Sequence, residues 1–323
     1  VPLLLVLAAC GGGARQAEGP PLPSLAEPGA PMEGAPAPRA DLDAGLRALE
    51  AGDFAAARAA FAEAQRKSPG DHERLGDAAA AEKGYREALR LRPDLEAAAL
   101  NLSALHADRG QWDEAIAVAR AGLARHQGSA ALALNLAVAL GGRRDPEAPK
   151  AFEEAVRLAP KDAMTRLTYG HYLVAEGRGA RAKAQLLEAQ SLAPKDAGLL
   201  AAVGHELRQA GAFPECIAAF GRALDAASAA PPRAVAELYT ERALCRVGAR
   251  DDAGAAADLG AAVAKDKGYA VAHFYLGGRL AAQGKRGEAQ KAYETYLALA
   301  PDGPLAAQAR ERVAALKGPP KKR

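Results

Sequence analysis

"LTYGHYLVAEGRGARAKAQLLEAQSLAP", residues 167–194, and "FYLGGRLAAQGKRGEAQKAYETYLALAP", residues 274–301, share one frame. The first carries Gly170, Leu173, Gly177, Ala182, Leu186 and Pro194; the second sets Gly277, Leu280, Gly284, Ala289, Tyr293 and Pro301 at the same offsets. Independent landmarks in one frame are the signature of a structural repeat. The residues that close each unit give its period. They are Pro69, Pro93, Gln127, Pro160, Pro194, Ser228, Lys267 and Pro301, at intervals of 24, 34, 33, 34, 34, 39 and 34. Four of seven equal 34 and a fifth misses by one, so a single supersecondary unit recurs along the chain. Beyond a Pro-rich front, strand-like β-branched runs are scarce, and each unit reads as a pair of helices.

Each landmark has a physical task. A small residue in the first helix (Ser103, Ala137, Gly170, Gly204, Ala243 or Gly277) lets the second helix come close. Ala115, Ala148, Ala182, Cys216, Ala255 and Ala289 are expected to face it, and a larger side chain would overpack the pair by about 1–3 kcal/mol. Gly52, Gly110, Gly177, Gly211 and Gly284 fall between helices, where a left-handed cap is wanted. Phe54, Trp112 and Phe213 come two residues later and pack over the turn, so Trp112 reads as core. The prolines close second helices because they cannot continue an i to i−4 ladder.

This frame resembles the tetratricopeptide repeat family over nearly all of residues 38–317. The resemblance implies an all-α fold, a right-handed α-solenoid of helix-turn-helix repeats, with first helices lining a concave side that recognises peptides or proteins. Carried across, Asn101 and Asn135 ("ALNL" twice, 34 apart) would point into that groove. Thr168 and Tyr275 take equivalent slots, and His171 and His205 are neighbours one repeat apart. Amides donate and accept, which suits the backbone of an extended peptide. The alternative is that these side chains only solvate an unused face, or bond between helices. A clamp for a terminal carboxylate would need Lys or Arg beside the asparagines, where the chain has Ala97, Leu100, Ala131 and Leu134.

Two intervals depart from the period. Ten residues are missing between Pro69 and Pro93, so 71–91 is expected to be one fused helix. Five are added between Ser228 and Lys267, around Pro231-Pro232, which predicts a longer loop. Leu305, Ala309, Val313 and Leu316 share one stripe of a last helix, the cap that a solenoid needs over its open end.

The chain opens "VPLLLVLAAC GGG", and Leu7-Ala8-Ala9-Cys10 resembles the bacterial lipobox, in which a lipid is attached to the cysteine. The run lacks a basic lead and is too short to span a bilayer, so it reads as a signal with its start missing. Residues 11–40 hold seven prolines and many Gly and Ala, a composition that spans about 90 Å when extended and about 30 Å as a coil. The expected organisation is a lipoprotein signal remnant at 1–10, a linker at 11–40, the repeat array with its capping helix at 41–317, and a basic tail at 318–323.

Function classes narrow quickly. The net charge is +3, but Lys317, Lys321, Lys322 and Arg323 at the end supply four positive charges, leaving −1 for the rest. A near-neutral body gives no electrostatic footprint for nucleic acid. "GHELRQAG", 204–211, begins like a zinc peptidase motif, but Gln209 stands where its second histidine is required. His171 and His205 have no third ligand spaced to join them, so no metal or other cofactor is expected. With no phosphate loop, nucleophile elbow or dinucleotide fingerprint, no enzyme and no small-molecule substrate are expected either. Buried packing is the first reading for Cys216 and Cys245, and a disulfide in an oxidising compartment the second.

The expectation is a non-catalytic scaffold lipoprotein on the periplasmic side of the bacterial outer membrane. It would bind other envelope proteins in its groove, for instance in assembling a pilus or secretin. The alternative is a soluble cytoplasmic assembly or co-chaperone factor.

Overall fold

The structure, a computed structural model, describes residues 73–317. Cys10, the linker, the unit ending at Pro69 and the tail beyond Lys317 lie outside the described residues. Within them the chain is all helix, with no strand: α1 (Glu73–Leu91), α2 (Glu96–Asp108), α3 (Trp112–Arg125), α4 (Ala130–Gly142), α5 (Ala148–Leu158), α6 (Ala163–Ala175) and α7 (Gly179–Leu192). They continue as α8 (Ala197–Gln209), α9 (Phe213–Ala226), α10 (Pro232–Gly248), α11 (Asp252–Lys265), α12 (Ala270–Ala282), α13 (Arg286–Leu299) and α14 (Ala306–Lys317). First helices are the even-numbered elements α2 to α12, and each is followed by its second helix. The chain divides into two compact units after Thr168, within α6.

The helix pairs are closed by one repeated device. After α2, the amide of Gly110 bonds Ala107 O and that of Gln111 bonds His106 O, at 2.9 Å each. The same two bonds follow α4, α6, α8, α10 and α12, so orphan carbonyls at all six helix ends are satisfied alike. The motif needs one residue at positive φ. Gly110, Gly177, Gly211 and Gly284 supply it at φ 69 to 76°, as their spacing predicts. At the other two turns the position is Arg144 (φ 58°) and Arg250 (φ 62°), which no glycine signal marked.

The glycine of the first helix meets a large side chain more closely than the small residue expected to face it, and Ala182 does lie against Gly170 as expected. A Cβ built on Gly170 would lie 2.6 Å from Leu186, one on Gly204 2.7 Å from Phe220, and one on Gly277 3.1 Å from Tyr293. Each partner lies four residues beyond the small one expected there (Ala182, Cys216, Ala289), one turn along the same face. The gap is therefore made for a large side chain. Trp112 packs on Gly142 and Phe213 on Gly248, so these rings reach past the turn to the next first helix.

Of the irregular intervals, 73–91 is a single helix as expected, its Tyr85 and Ala88 packing with Ala98 and Leu102 of α2. The other corrects the sequence reading. Most of the added residues lengthen α10, which has 17 residues where α8 and α12 have 13. Pro232 stands at its first turn, where a fixed φ and a missing N–H are harmless. Cys216 of α9 and Cys245 of α10, both fully buried, are joined as a disulfide with Cα atoms 6.0 Å apart. At the far end Leu305, Ala309 and Val313 bury against Tyr293 and Tyr296, the cap that the last stripe predicts.

Gly204→Leu should drive a side chain into Phe220 and lower unfolding stability by about 1–3 kcal/mol or more. Arg222→Ala, on the exposed side of α9, should leave it unchanged. Equal melting temperatures for the two variants would refute this packing. Arg250→Gly relieves left-handed strain of about 1–2 kcal/mol and loses about 0.4–1 kcal/mol through the looser unfolded chain. A net gain near 1 kcal/mol is expected in urea denaturation, with none for Arg250→Ala; a destabilised glycine variant would contradict the turn.

Candidate functional site

The repeat frame gives every first helix an equivalent slot two residues before its small residue. The slot holds Asn101, Asn135 and Thr168 in the first unit, and Ala202, Glu241 and Tyr275 in the second. What each side chain can do depends on what its neighbours leave unsatisfied.

In the first unit the slots are spent inside the array. Asn101 hydrogen-bonds the hydroxyl of Tyr85, a buried phenol whose pKa desolvation pushes up to about 12. Asn135 donates from Nδ2 to Leu100 O at 3.0 Å and to Ser103 Oγ at 2.9 Å, clipping α4 to α2. Ser103 in turn donates to Leu100 O. Thr168 is buried, its hydroxyl donating to Met164 O on its own helix at 2.8 Å. These three were expected in the groove. The structure engages both asparagine amides between helices and turns the threonine hydroxyl back on its own helix.

The second unit is different. His171 Nδ1 lies 3.0 Å from Oε1 of Glu206, itself buried. A carboxylate accepts, so Nδ1 carries the proton, and His171 Nε2 is buried without a partner. His205 stands one repeat on, exposed to solvent. Partial desolvation of its ring lowers its pKa, and Arg208 adds to the effect, with Arg208 Nη2 at 3.4 Å from His205 Nδ1. Arg208 Nε also faces Glu241 Oε2 of α10 across 3.5 Å, an ion pair without a hydrogen bond, and both atoms are buried. Burial holds the Glu241 carboxyl above its ordinary range, Arg208 pulling it back and Glu237 adding to the rise. Tyr275, half-buried on α12, has its hydroxyl pushed up by burial and then by Glu241.

His171, His205 and Tyr275 thus lie among charged groups that the sequence reading left unmarked: Glu206, Arg208 and Glu241. Glu241 was legible, because it occupies the same slot as the asparagines. Arg208 was not, since an arginine on a helix surface carries no signal of its own. Among the described residues no three His, Cys, Asp or Glu side chains converge as metal ligands.

No family model and no curated protein matches the chain by sequence. Among solved structures it is similar to the C-terminal part of a TPR repeat-containing protein from Cytophaga hutchinsonii, at 12% identity and TM-score 0.57, covering 83% of this chain and 98% of that one. Weaker likenesses are a chain of the APC/C hetero-tetramer Cut9-Hcn1 (15% identity, TM-score 0.46, 84% of this chain and 55% of that one) and Pseudomonas aeruginosa pilF (19%, 0.47, 67% and 96%). The chain spans about half the length of the Cut9-Hcn1 chain. The fold is that of a tetratricopeptide-repeat α-solenoid.

Asn135→Ala should remove two hydrogen bonds between α2 and α4, each worth about 0.5–1.5 kcal/mol, and lower unfolding stability by about 1–3 kcal/mol. An unchanged urea midpoint would show that the amide is not a clip and is spare for a ligand.

Proposed function

We propose that this protein is a non-catalytic scaffold whose first helices, above all those of the second unit, receive segments of partner proteins in the bacterial cell envelope. The observation that carries this reading is the concentration of incompletely satisfied polar groups on that face. Of the buried side-chain N and O atoms without a hydrogen bond among the described residues, His171 Nε2, Arg208 Nε and Glu241 Oε2 lie on successive first helices α6, α8 and α10. Buried polar atoms are ordinarily paired, and such a concentration marks a surface made for other atoms. Repeats fixed by identical turns keep that surface rigid, which lowers the entropic cost of receiving a flexible segment.

The envelope assignment rests on two features. Leu7-Ala8-Ala9-Cys10 followed by the Gly- and Pro-rich stretch is the pattern of a lipid-anchored protein, and Gly11 after the cysteine favours the outer membrane. The disulfide between Cys216 and Cys245 supports an oxidising compartment and speaks against the cytoplasmic alternative. On this reading the body works on the periplasmic side, held by lipid on Cys10, and gathers components of an envelope complex such as a pilus or secretin.

Metabolic palmitate labelling should mark the full-length protein, and Cys10→Ala should abolish the label and release the protein from the membrane fraction. Affinity capture from cross-linked envelopes should then yield partners lost on Glu241→Gln without loss of helicity. An unlabelled wild type would remove the anchor, and capture indifferent to Glu241 would move binding to another face.

A further inference from the structure

The second unit's first-helix face has an electrostatic sign, and that sign selects a partner. Around Glu241 of α10 lie Glu237 one turn earlier, Arg208 of α8, Tyr269 just before α12, and Tyr275 within it. Arg233 is already committed: it pairs with Glu237 at 3.1 Å and with Asp266 at 3.3 Å, and lies over the Tyr269 ring at 4.2 Å from its centroid. Three carboxylates (Glu237, Glu241, Asp266) therefore face two guanidiniums (Arg208, Arg233), and one negative charge is left over.

That charge falls on Glu241. It forms no hydrogen bond among the described residues, and Oε2 is buried against Arg208 Nε at 3.5 Å. Its side chain keeps 13% of its surface exposed. A carboxylate so placed has lost much of its hydration and gained only a distant counter-ion, a costly state that an added cation would relieve. Tyr275, half-buried against Ala243, Ala255 and Leu259, keeps part of its ring and its hydroxyl available, the companions a long basic side chain uses along its stem and at its head.

Resting on the scaffold reading above, we propose that Glu241 and Tyr275 form a subsite for one lysine or arginine side chain of an extended partner segment. The cation takes the open side of the Glu241 carboxylate opposite Arg208, and its aliphatic stem lies along Tyr275. Burial raises the pKa of this carboxyl, so a proton competes with the arriving cation for it. Binding therefore strengthens as pH rises through the carboxyl's raised range and levels off once Glu241 is ionised.

The test uses the full chain and four acetylated, amidated Gly/Ser peptides of about ten residues, carrying at the centre Lys, Arg, Leu or Glu. Fluorescence anisotropy should show Lys and Arg peptides binding at least tenfold more tightly than Leu or Glu peptides. That preference should weaken with salt and vanish in Glu241→Gln, and Tyr275→Ala should reduce it several-fold while Tyr275→Phe largely preserves it. Circular dichroism of all variants should overlay the wild type. Equal affinity for the four peptides, or a basic preference that survives Glu241→Gln, would overturn the subsite while leaving the scaffold reading standing. Failure of every peptide to bind would also overturn it, and the scaffold reading would then rest on the capture experiment. If Lys321→Ser/Lys322→Ser/Arg323→Ser binds the Lys peptide tenfold more tightly than the wild type, the occupant is the chain's own tail and not a partner.

Discussion

The separation between the two helices of each repeat decides everything built on it. Gly170, Gly204 and Gly277 let Leu186, Phe220 and Tyr293 seat against bare backbone, with no room for a Cβ in ordinary contact. Close-packed interiors transmit such constraints without slack. Because the same gap recurs, the turn closing each first helix meets the same geometry, and the same pair of backbone bonds forms six times among the described residues. Arg144 and Arg250 accept a left-handed conformation at two of these turns, a strain that the surrounding packing must exceed. Local backbone preference yields here to the spacing of the helices.

A repeat fixes where side chains stand and leaves open what they bond to. The slot two residues before the small residue holds a polar group on every first helix except α8, where it is Ala202, yet the polar groups of the two units serve different ends. In the first unit, Ser103 offers its hydroxyl to Asn135, and the amide closes the gap between α2 and α4. In the second, the corresponding slots hold Ala202, Glu241 and Tyr275, and no short amide chemistry links one first helix to the next. Longer charged side chains bridge instead, Arg208 reaching Glu241 and His171 reaching Glu206. His171 and Glu206 meet in a hydrogen bond of 3.0 Å, whereas Arg208 and Glu241 face each other across 3.5 Å and their facing atoms remain without one.

The frame, the helix ends and the cap were legible in the sequence because Gly and Pro act locally, through backbone freedom and a missing donor. The large side chain that sits closest to each glycine was not, since period alone does not say which of two positions one turn apart comes nearer. Phe220 and Cys216 differ by four residues, and it is Phe220 that comes within 2.7 Å of a Cβ built on Gly204. The disulfide was open for a similar reason: pairing depends on the angle between α9 and α10, which the irregular interval obscured. Of the expected groove residues, the asparagines were legible as to their slot in the repeat but not as to their use, because an amide bonds a neighbouring helix as readily as a peptide. Glu241 was legible by its slot, while Arg208, one more charge on a charged helix, was not.

The irregular α10 is held on two sides. Its extra turn breaks the 34-residue register, and a disulfide to α9 joins it at Cys245. On its other side Asp258 of α11, buried, takes two bonds from Arg242 at 2.9 and 2.6 Å and lies 3.1 Å from Arg246 Nε. A buried carboxylate stripped of such partners costs several kcal/mol, so α10 and α11 can slide past each other only by breaking the network. Glu241 stands directly before Arg242, on the helix fixed by both the covalent bond and the ion pairs. A binding group on so constrained an element is already in place before a partner arrives, and the affinity otherwise lost to ordering is retained. The lengthened repeat thus brings together a disulfide, a buried ion-pair network and a carboxylate whose counter-ion stands 3.5 Å away, and the first two hold the third in place without help from its own pairing.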